Sequence, residues 1–502
     1  MLYTSLEYRK EIDSALDYLY GKRCKFMSDQ DTTKVVHEEL NRGLQERHIQ
    51  LIALGGAIGV GLFLGSASAI EKAGPAVVVA YMVAGIAIFF VMRAMGEITI
   101  EYPVSGSFSA HAYQFLSPLA GYVSGWNYWY VWVVTCMAEI TAVGVYVHLW
   151  LPDLPQWITC LIALALMTCA NMISVKAYGE FEFWFALIKI VTIVFLIISG
   201  CGMIFFGLGN NGVAIGLSNL TAHGGFFPNG ISGVFSTLLM VLFAYVGIEV
   251  IGVTAGEAHN PEKTLSAAID KVLYRILLFY ILALLVIMSL YPWDQIGHRG
   301  SPFVMVFEEL GIGSAAHIIN FVVITAALSS CNSGVYSTGR MLYNLSLLGT
   351  APKYFSAVSA NKVPYRAIII SVMFMLIGVA LNYFLPAAVF EIVTSVSAFA
   401  CMVTWIMILF CQMSYRKSIP VDQRDKIRYK MPFSPYSNYF TILFFAVVLV
   451  SALFSANTRI GIIATGIWLI ALIAVYYIAG INKRDRVELA HYEGDATDPS
   501  NR

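Results

Sequence analysis

The chain has 502 residues, of which 58% are hydrophobic and 12% charged. Soluble domains carry about 25% charged residues, so the composition excludes a soluble globular protein and points to a polytopic membrane protein. Lys plus Arg and Asp plus Glu are equal at 31 each, a net charge of zero that directs the chain to no nucleic acid and no acidic partner.

Residues Met1–Phe26 are mixed and polar and lack the apolar core of a signal peptide. A second methionine, Met27, opens "MSDQDTTKVVHEELNRGLQERHIQ", which reads as a cytoplasmic tail, so Met1–Phe26 reads as dispensable or as a spurious upstream start. Apolar runs of bilayer length then follow near 49–70, 75–96, 118–147, 157–176, 183–207, 231–255, 272–291, 314–345, 366–385, 388–413, 438–455 and 460–480. The expected fold is therefore all-α and membrane-integral, with twelve transmembrane helices. The third and eighth spans are long, which predicts tilt.

Basic residues set the orientation. With the N-terminus cytoplasmic, inner loops hold Arg93, Lys263, Lys271, Arg340 and the run Arg416, Lys417, Arg424, Lys426, Arg428 and Lys430, whereas outer loops hold only Lys72, Arg299 and Arg459. Both termini (1–48 and 481–502) are then cytoplasmic tails. No soluble domain is inserted. Of the eight cysteines all but Cys24 fall in apolar segments, and none forms a C-x-x-C or Cys/His cluster, so no metal site and no disulfide framework is expected.

The first span, "ALGGAIGVGLFLGSA", holds Gly55, Gly56, Gly59, Gly61 and Gly65, each costing a helix about 1 kcal/mol relative to alanine. Gly55/Gly59 and Gly61/Gly65 are G-x-x-x-G pairs that allow close helix packing. The alternative is a broken helix whose freed backbone lines a site. The sixth span, "LMVLFAYVGIEVIGVTAGE", has Gly247 in a comparable position with Glu249 two residues later, which favours the broken helix. Two interrupted helices, each first in a group of five, predict an inverted repeat of halves 49–207 and 230–413, with 438–480 as two added helices. Freed N–H groups attract a carboxylate and freed carbonyls an ammonium, so such a site suits an amino acid.

"RGLQERHIQLIALGGAIGVGLFLG", "AGPAVVVAY…MRAMGEITIEYPVSGSF", "YGEFEFWFALIKI", "FAYVGIEVIGVTAGEAHNPEK" and "LSSCNSGVYSTGRMLY" resemble the bacterial amino-acid permeases of the amino acid–polyamine–organocation superfamily. The resemblance runs from about Arg42 to Gly480. It implies a LeuT-like five-plus-five fold and proton-coupled uptake by alternating access. It also implies that Ala57, Gly59, Val60 and Gly61 form the unwound part of helix 1, with N–H groups near Val60 and Gly61 holding the substrate carboxylate. Phe243, Ala244, Tyr245, Val246 and Gly247 are the matching positions of helix 6. Carbonyls of Ala57, Phe243 and Val246 would take the ammonium, and the Phe243 ring would act as a lid or be one more core phenylalanine.

Charges inside apolar spans are costly and often functional. Lys189, in "WFALIKIVTI", either snorkels to the interface or substitutes for a bound cation, touching helix-1 carbonyls and a hydroxyl such as Ser329; the resemblance supports the second role and makes it the proton-coupling site. Glu139 lies at mid-membrane and either contacts substrate, carries a proton or hydrogen-bonds between helices. Glu249, with Tyr245, reads as structural or gating. Asn332 and Ser333 face the site or glue helices together. Arg93, Glu97 and the loop "GEAHNPEK" read as inner-loop architecture.

The apolar positions Ala57, Val60, Ala244 and Val246 favour a small neutral substrate such as alanine, glycine or serine, D-forms included. Stretches resembling proline, threonine and phenylalanine permeases keep those substrates as alternatives. No catalytic motif is present, so an enzyme is disfavoured and no cofactor is implied; a non-transporting amino-acid sensor remains the second class. The expected partners are the substrate, protons and the bilayer of a bacterial inner membrane, with the chain a monomer or weak oligomer.

Overall fold

The computed structural model describes residues 58–102, 108–173, 175–254, 261–296, 303–304, 315–420 and 423–482, and all regular structure among them is helical. The N-terminal tail, residues 483–502 of the C-terminal tail, Ala57 and the other residues of the first span before Ile58 lie outside the described residues, as does most of "GEAHNPEK". Eight helical stretches among the described residues are long and apolar enough to cross a membrane. Three further apolar helices, Gly230–Phe243, Ile276–Leu290 and Tyr436–Ala452, are shorter.

In chain order the helices are α1 (Val60–Phe63), α2 (Gly65–Ala73), α3 (Val77–Glu101), α4 (Phe108–Phe115), α5 (Pro118–His148), α6 (Gln156–Ile173) and α7 (Val175–Phe206). There follow α8 (Gly230–Phe243), α9 (Val250–Thr254), α10 (Pro261–Asp270), α11 (Val272–Arg275) and, beyond a π-helical stretch at Ile276–Leu282, α12 (Ala283–Leu290). Apart from single helical turns at Asn219–Ala222 and Trp293–Ile296, the remaining α-helices are α13 (Ala315–Leu347), α14 (Tyr365–Phe384), α15 (Val389–Ser418), α16 (Tyr436–Ala452) and α17 (Ala456–Ile478).

The molecule is built around α5 and α13, which pack against each other and carry α15 on α5. Of the most apolar stretch of each, 83% is buried in α5 and in α13 but 22% in α17, so the last helix is peripheral. At 31 and 33 residues the two central helices exceed the roughly 20 needed to cross a bilayer, as their long apolar runs predict. α5 starts where Ser117 Oγ accepts the Ala120 N–H at 3.1 Å with Pro118 in the first turn, a pairing that satisfies an otherwise orphaned donor. Its Asn127 reaches across to the Ala400 carbonyl (2.7 Å) and Thr404 Oγ1 (3.0 Å) of α15, fixing the register of the two helices.

One boundary differs from expectation in a useful way. The fifth span is expected at 183–207, but α7 begins at Val175. Glu182, just ahead of that expected start, is fully buried. Its charge is met by another helix rather than by water.

Candidate functional site

The described part of the first span begins at Ile58. Gly59 is extended (φ −123°, ψ −166°), and α1 starts behind it with the Leu62 N–H on the Gly59 carbonyl at 3.1 Å. An irregularity at Leu64 separates α1 from α2. The glycines that follow serve packing. A Cβ on Gly61 would lie 2.6 Å from Ala244 Cα, and one on Gly65 would lie 2.8 Å from Met240 Sδ. The Gly61/Gly65 pair is thus the close-packing surface of the first span against the sixth. Gly61 and Gly65 thus serve the close packing that their G-x-x-x-G spacing allows, because backbone-to-backbone approach needs side chains removed from the contact.

The sixth span is interrupted where expected. α8 ends at Phe243 and α9 begins at Val250. Between them the backbone runs in tight turns, with the Tyr245 N–H on the Leu242 carbonyl (3.0 Å) and the Val246 N–H on the Phe243 carbonyl (3.1 Å). Gly247 has φ +103°, a conformation that side chains with a Cβ rarely adopt. Its N–H donates to both carboxylate oxygens of Glu249 at 3.2 Å, and Trp405 Nε1 donates to Glu249 Oε2 at 3.3 Å. Glu249 therefore ties the break to α15, with Tyr128 of α5 beside it. Tyr245 Oη donates to the Tyr81 carbonyl of α3 at 2.9 Å. Tyr280 Oη donates to the Ala244 carbonyl at 2.9 Å. Tyr280 lies in the π-helical stretch, where the extra residue per turn re-aims side chains and often marks functional sites.

A buried ionic cluster stands beside the start of α1. Lys189 Nζ donates to Ser329 Oγ at 2.9 Å, and Ser329 Oγ donates to Glu182 Oε1 at 2.7 Å. All three residues are fully buried. Glu139, on α5, has Ser330 and the Val60 N–H against its carboxylate and lies within electrostatic reach of Lys189. A Cβ on Gly59 would come 3.1 Å from Glu139 Oε1, so the missing side chain makes room for that carboxylate.

Gly59 and Val60 thus meet Glu139 at the start of α1, within which Val60 and Gly61 are helical. Phe243, Ala244, Val246 and Gly247 lie at the break in the sixth span, and Gly61 joins the two sets. Lys189 and Ser329 are paired. Asn332 is held elsewhere: Asn171 Nδ2 of α6 donates to its Oδ1 at 2.8 Å, and Glu182 lies beside it. Sequence reasoning passed over Glu182 and Tyr280. Glu182 had a signal, since it precedes Lys189 by seven residues, two helical turns, and so shares its face.

Both ends of the bundle are tied. On one side Lys72 Nζ meets Glu391 Oε1 at 3.1 Å, Glu391 accepts from Asn457 Nδ2 at 2.7 Å, and the Phe243 ring packs edge-on to Phe390, 6.4 Å between centroids. On the other, Arg416 Nε and Nη2 each donate to the fully buried Glu97 at 2.7 Å. Arg93 pairs with Asp270 at 2.9 Å and stacks on Tyr429.

Residues 48–489 match the family described as amino acid permease. The chain is 55% identical over 448 residues to an uncharacterized amino acid permease of Bacillus subtilis, YtnA, covering 89% of this chain and 97% of that protein. It is 51% identical over 459 residues to the probable threonine/serine transporter YbxG of Bacillus subtilis, covering 91% and 99%. It is 42% identical over 435 residues to the aromatic amino acid transport protein AroP of Escherichia coli, covering 87% and 95%. The chain belongs to the amino acid permease family and is a multi-pass membrane protein.

Proposed function

We propose that this amino acid permease is a proton-coupled importer of a small neutral amino acid that works by alternating access. The observation that carries the reading is the close approach of the first span to the break in the sixth, at Gly61 and Ala244, together with a buried lysine within reach of Glu139. Backbone groups at a break are pre-aimed and cost no reorganisation when a zwitterion arrives. In this reading the N–H groups near Val60 and Gly61 take the carboxylate, and the carbonyls of Ala57, Phe243 and Val246 take the ammonium. Phe243 covers the substrate. Lys189 fills, through Ser329, the place a coupling cation would hold, and its proton is the coupling ion.

The architecture proposed for this mechanism has twelve spans, 49–207 and 230–413 as inverted halves and both termini in the cytoplasm of a bacterial inner membrane. The bias of basic residues supports that orientation. Apolar side chains at Val60, Ala244 and Val246 favour a neutral substrate side chain, Glu139 being the one carboxylate beside them among the described site residues. The 51% identical relative named for threonine and serine agrees with a small substrate that tolerates a hydroxyl.

The test is uptake of labelled serine into proteoliposomes under an inward proton gradient, with alanine, glycine, D-serine, threonine, proline and phenylalanine as competitors. Concentrative uptake that collapses with a protonophore and yields first to small amino acids supports the reading. Strongest competition by phenylalanine would move the substrate to the aromatic class. Binding without uptake would make the protein a sensor.

A further inference from the structure

Lys189 is not a solitary buried charge. Three ionisable groups share its surroundings: Lys189 and Glu182 on α7 and Glu139 on α5. The polar groups of α13 that face them are Ser329, Ser330, Asn332 and Ser333, with Asn171 of α6 behind Asn332. Two carboxylates against one ammonium leave one negative charge without a counter-charge. Burying such a charge is costly, so the cluster is electrically balanced when it holds one further proton.

The hydrogen bonds run in one direction. Lys189 Nζ donates to Ser329 Oγ, and Ser329 Oγ donates to Glu182 Oε1. The Glu182 carboxylate is buried, with Ser333 and Asn332 of α13 beside it as well as Ser329. Glu182 lies two turns, about 10 Å, closer than Lys189 to the N-terminal end of α7. That is the end assigned to the cytoplasm by the basic-residue bias.

We infer that Glu182 is the acceptor of the Lys189 proton, passed through Ser329, and carries it toward the cytoplasm in the return half of the transport cycle. The inference rests on the proton-coupled reading above and adds to it the route by which the proton leaves. In the transfer the Lys189 N–H bond breaks as an O–H bond forms on Ser329 Oγ. The original Ser329 O–H bond breaks as one forms on Glu182 Oε1. The ammonium becomes an amine, the carboxylate becomes a carboxylic acid, and the serine regains its hydroxyl with the proton exchanged. Glu139 stays on the substrate side of the cluster, against the Val60 N–H, and answers to the other half of the cycle.

The test uses the full chain in proteoliposomes with labelled serine and two assays: accumulation driven by a pH gradient, and exchange against internal unlabelled serine, which needs no net proton movement. One pH unit supports about tenfold accumulation for one proton per substrate. Glu182→Gln is expected to lose that accumulation, retain exchange and show exchange independent of internal pH, with Glu182→Asp restoring part of the accumulation. Ser329→Ala is expected to behave as Glu182→Gln does, and Ser329→Thr, which keeps the hydroxyl, to accumulate. Accumulation by Glu182→Gln at the wild-type level overturns the relay. So does loss of both assays in Glu182→Gln and Glu182→Asp alike, which marks a structural residue. If Glu182→Gln does not fold, the Ser329 pair decides, and wild-type accumulation by Ser329→Ala overturns the relay. Failure of the wild type itself to accumulate overturns the symport reading, and the relay falls with it.

Discussion

Gly61 and Ala244 touch backbone to backbone: a Cβ on Gly61 would lie 2.6 Å from Ala244 Cα and 3.0 Å from its N. Backbone atoms cannot rotate away as a side-chain end can, so the two interrupted helices are held at a separation that only glycine permits. Gly61→Ala is expected to destabilise the protein by about 1–3 kcal/mol, the usual range for overpacking. It should abolish serine transport even where folded protein is recovered. The check is thermal unfolding in detergent together with uptake. Unchanged uptake would remove Gly61 from the site.

Lys189 lies fully buried with Ser329 as its hydrogen-bond partner. Lys189→Ala is expected to lose pH-gradient-driven accumulation while some exchange survives. Accumulation assays with and without a protonophore decide it, and wild-type accumulation in the variant would refute coupling through this residue.

Glu97 is fully buried and receives two hydrogen bonds of 2.7 Å from Arg416. Removing one partner of such a pair strands the other charge, whereas removing both does not. Arg416→Met is expected to cost about 3–5 kcal/mol. The double change Glu97→Met with Arg416→Met should recover much of that loss. Melting temperatures of the two single variants and the double variant test this, and additive losses would contradict it.

His111, on α4 between the second and third spans, is buried, and its Nε2–H donates to the Tyr102 carbonyl at 2.9 Å. Burial lowers its pKa from 6.5 to about 4, against a smaller opposing effect of that hydrogen bond. Between those values the unfolded chain binds a proton that the folded protein does not, so stability falls as pH drops from 6.5 toward 4. The full difference is about 3 kcal/mol, present below both values. His111→Gln keeps a donor for the carbonyl without a titrating ring, and its melting temperature should fall less than the wild type's between pH 7 and pH 4.5. Equal slopes would show that His111 carries none of the pH dependence.

Helical class and the interruption of the sixth span were legible in the sequence, because each depends on the local sum of apolar residues and on glycines placed within it. The break after Phe243 falls where the residues themselves signal it. The partners of the buried polar groups were not legible. Asn332 was a candidate for the substrate site and is bonded to Asn171 on another helix. Glu182 drew no reading from the sequence and is fully buried, its carboxylate accepting from Ser329 on α13. Gly61 read as part of an unwound segment, yet it lies within α1 and its use is set by Ala244 across the interface. Hydropathy is a property of one stretch of chain, and the sequence by itself determined which stretches leave water. Whether a buried charge or a bare backbone has a partner is settled between helices far apart in sequence, and that only the tertiary structure decided.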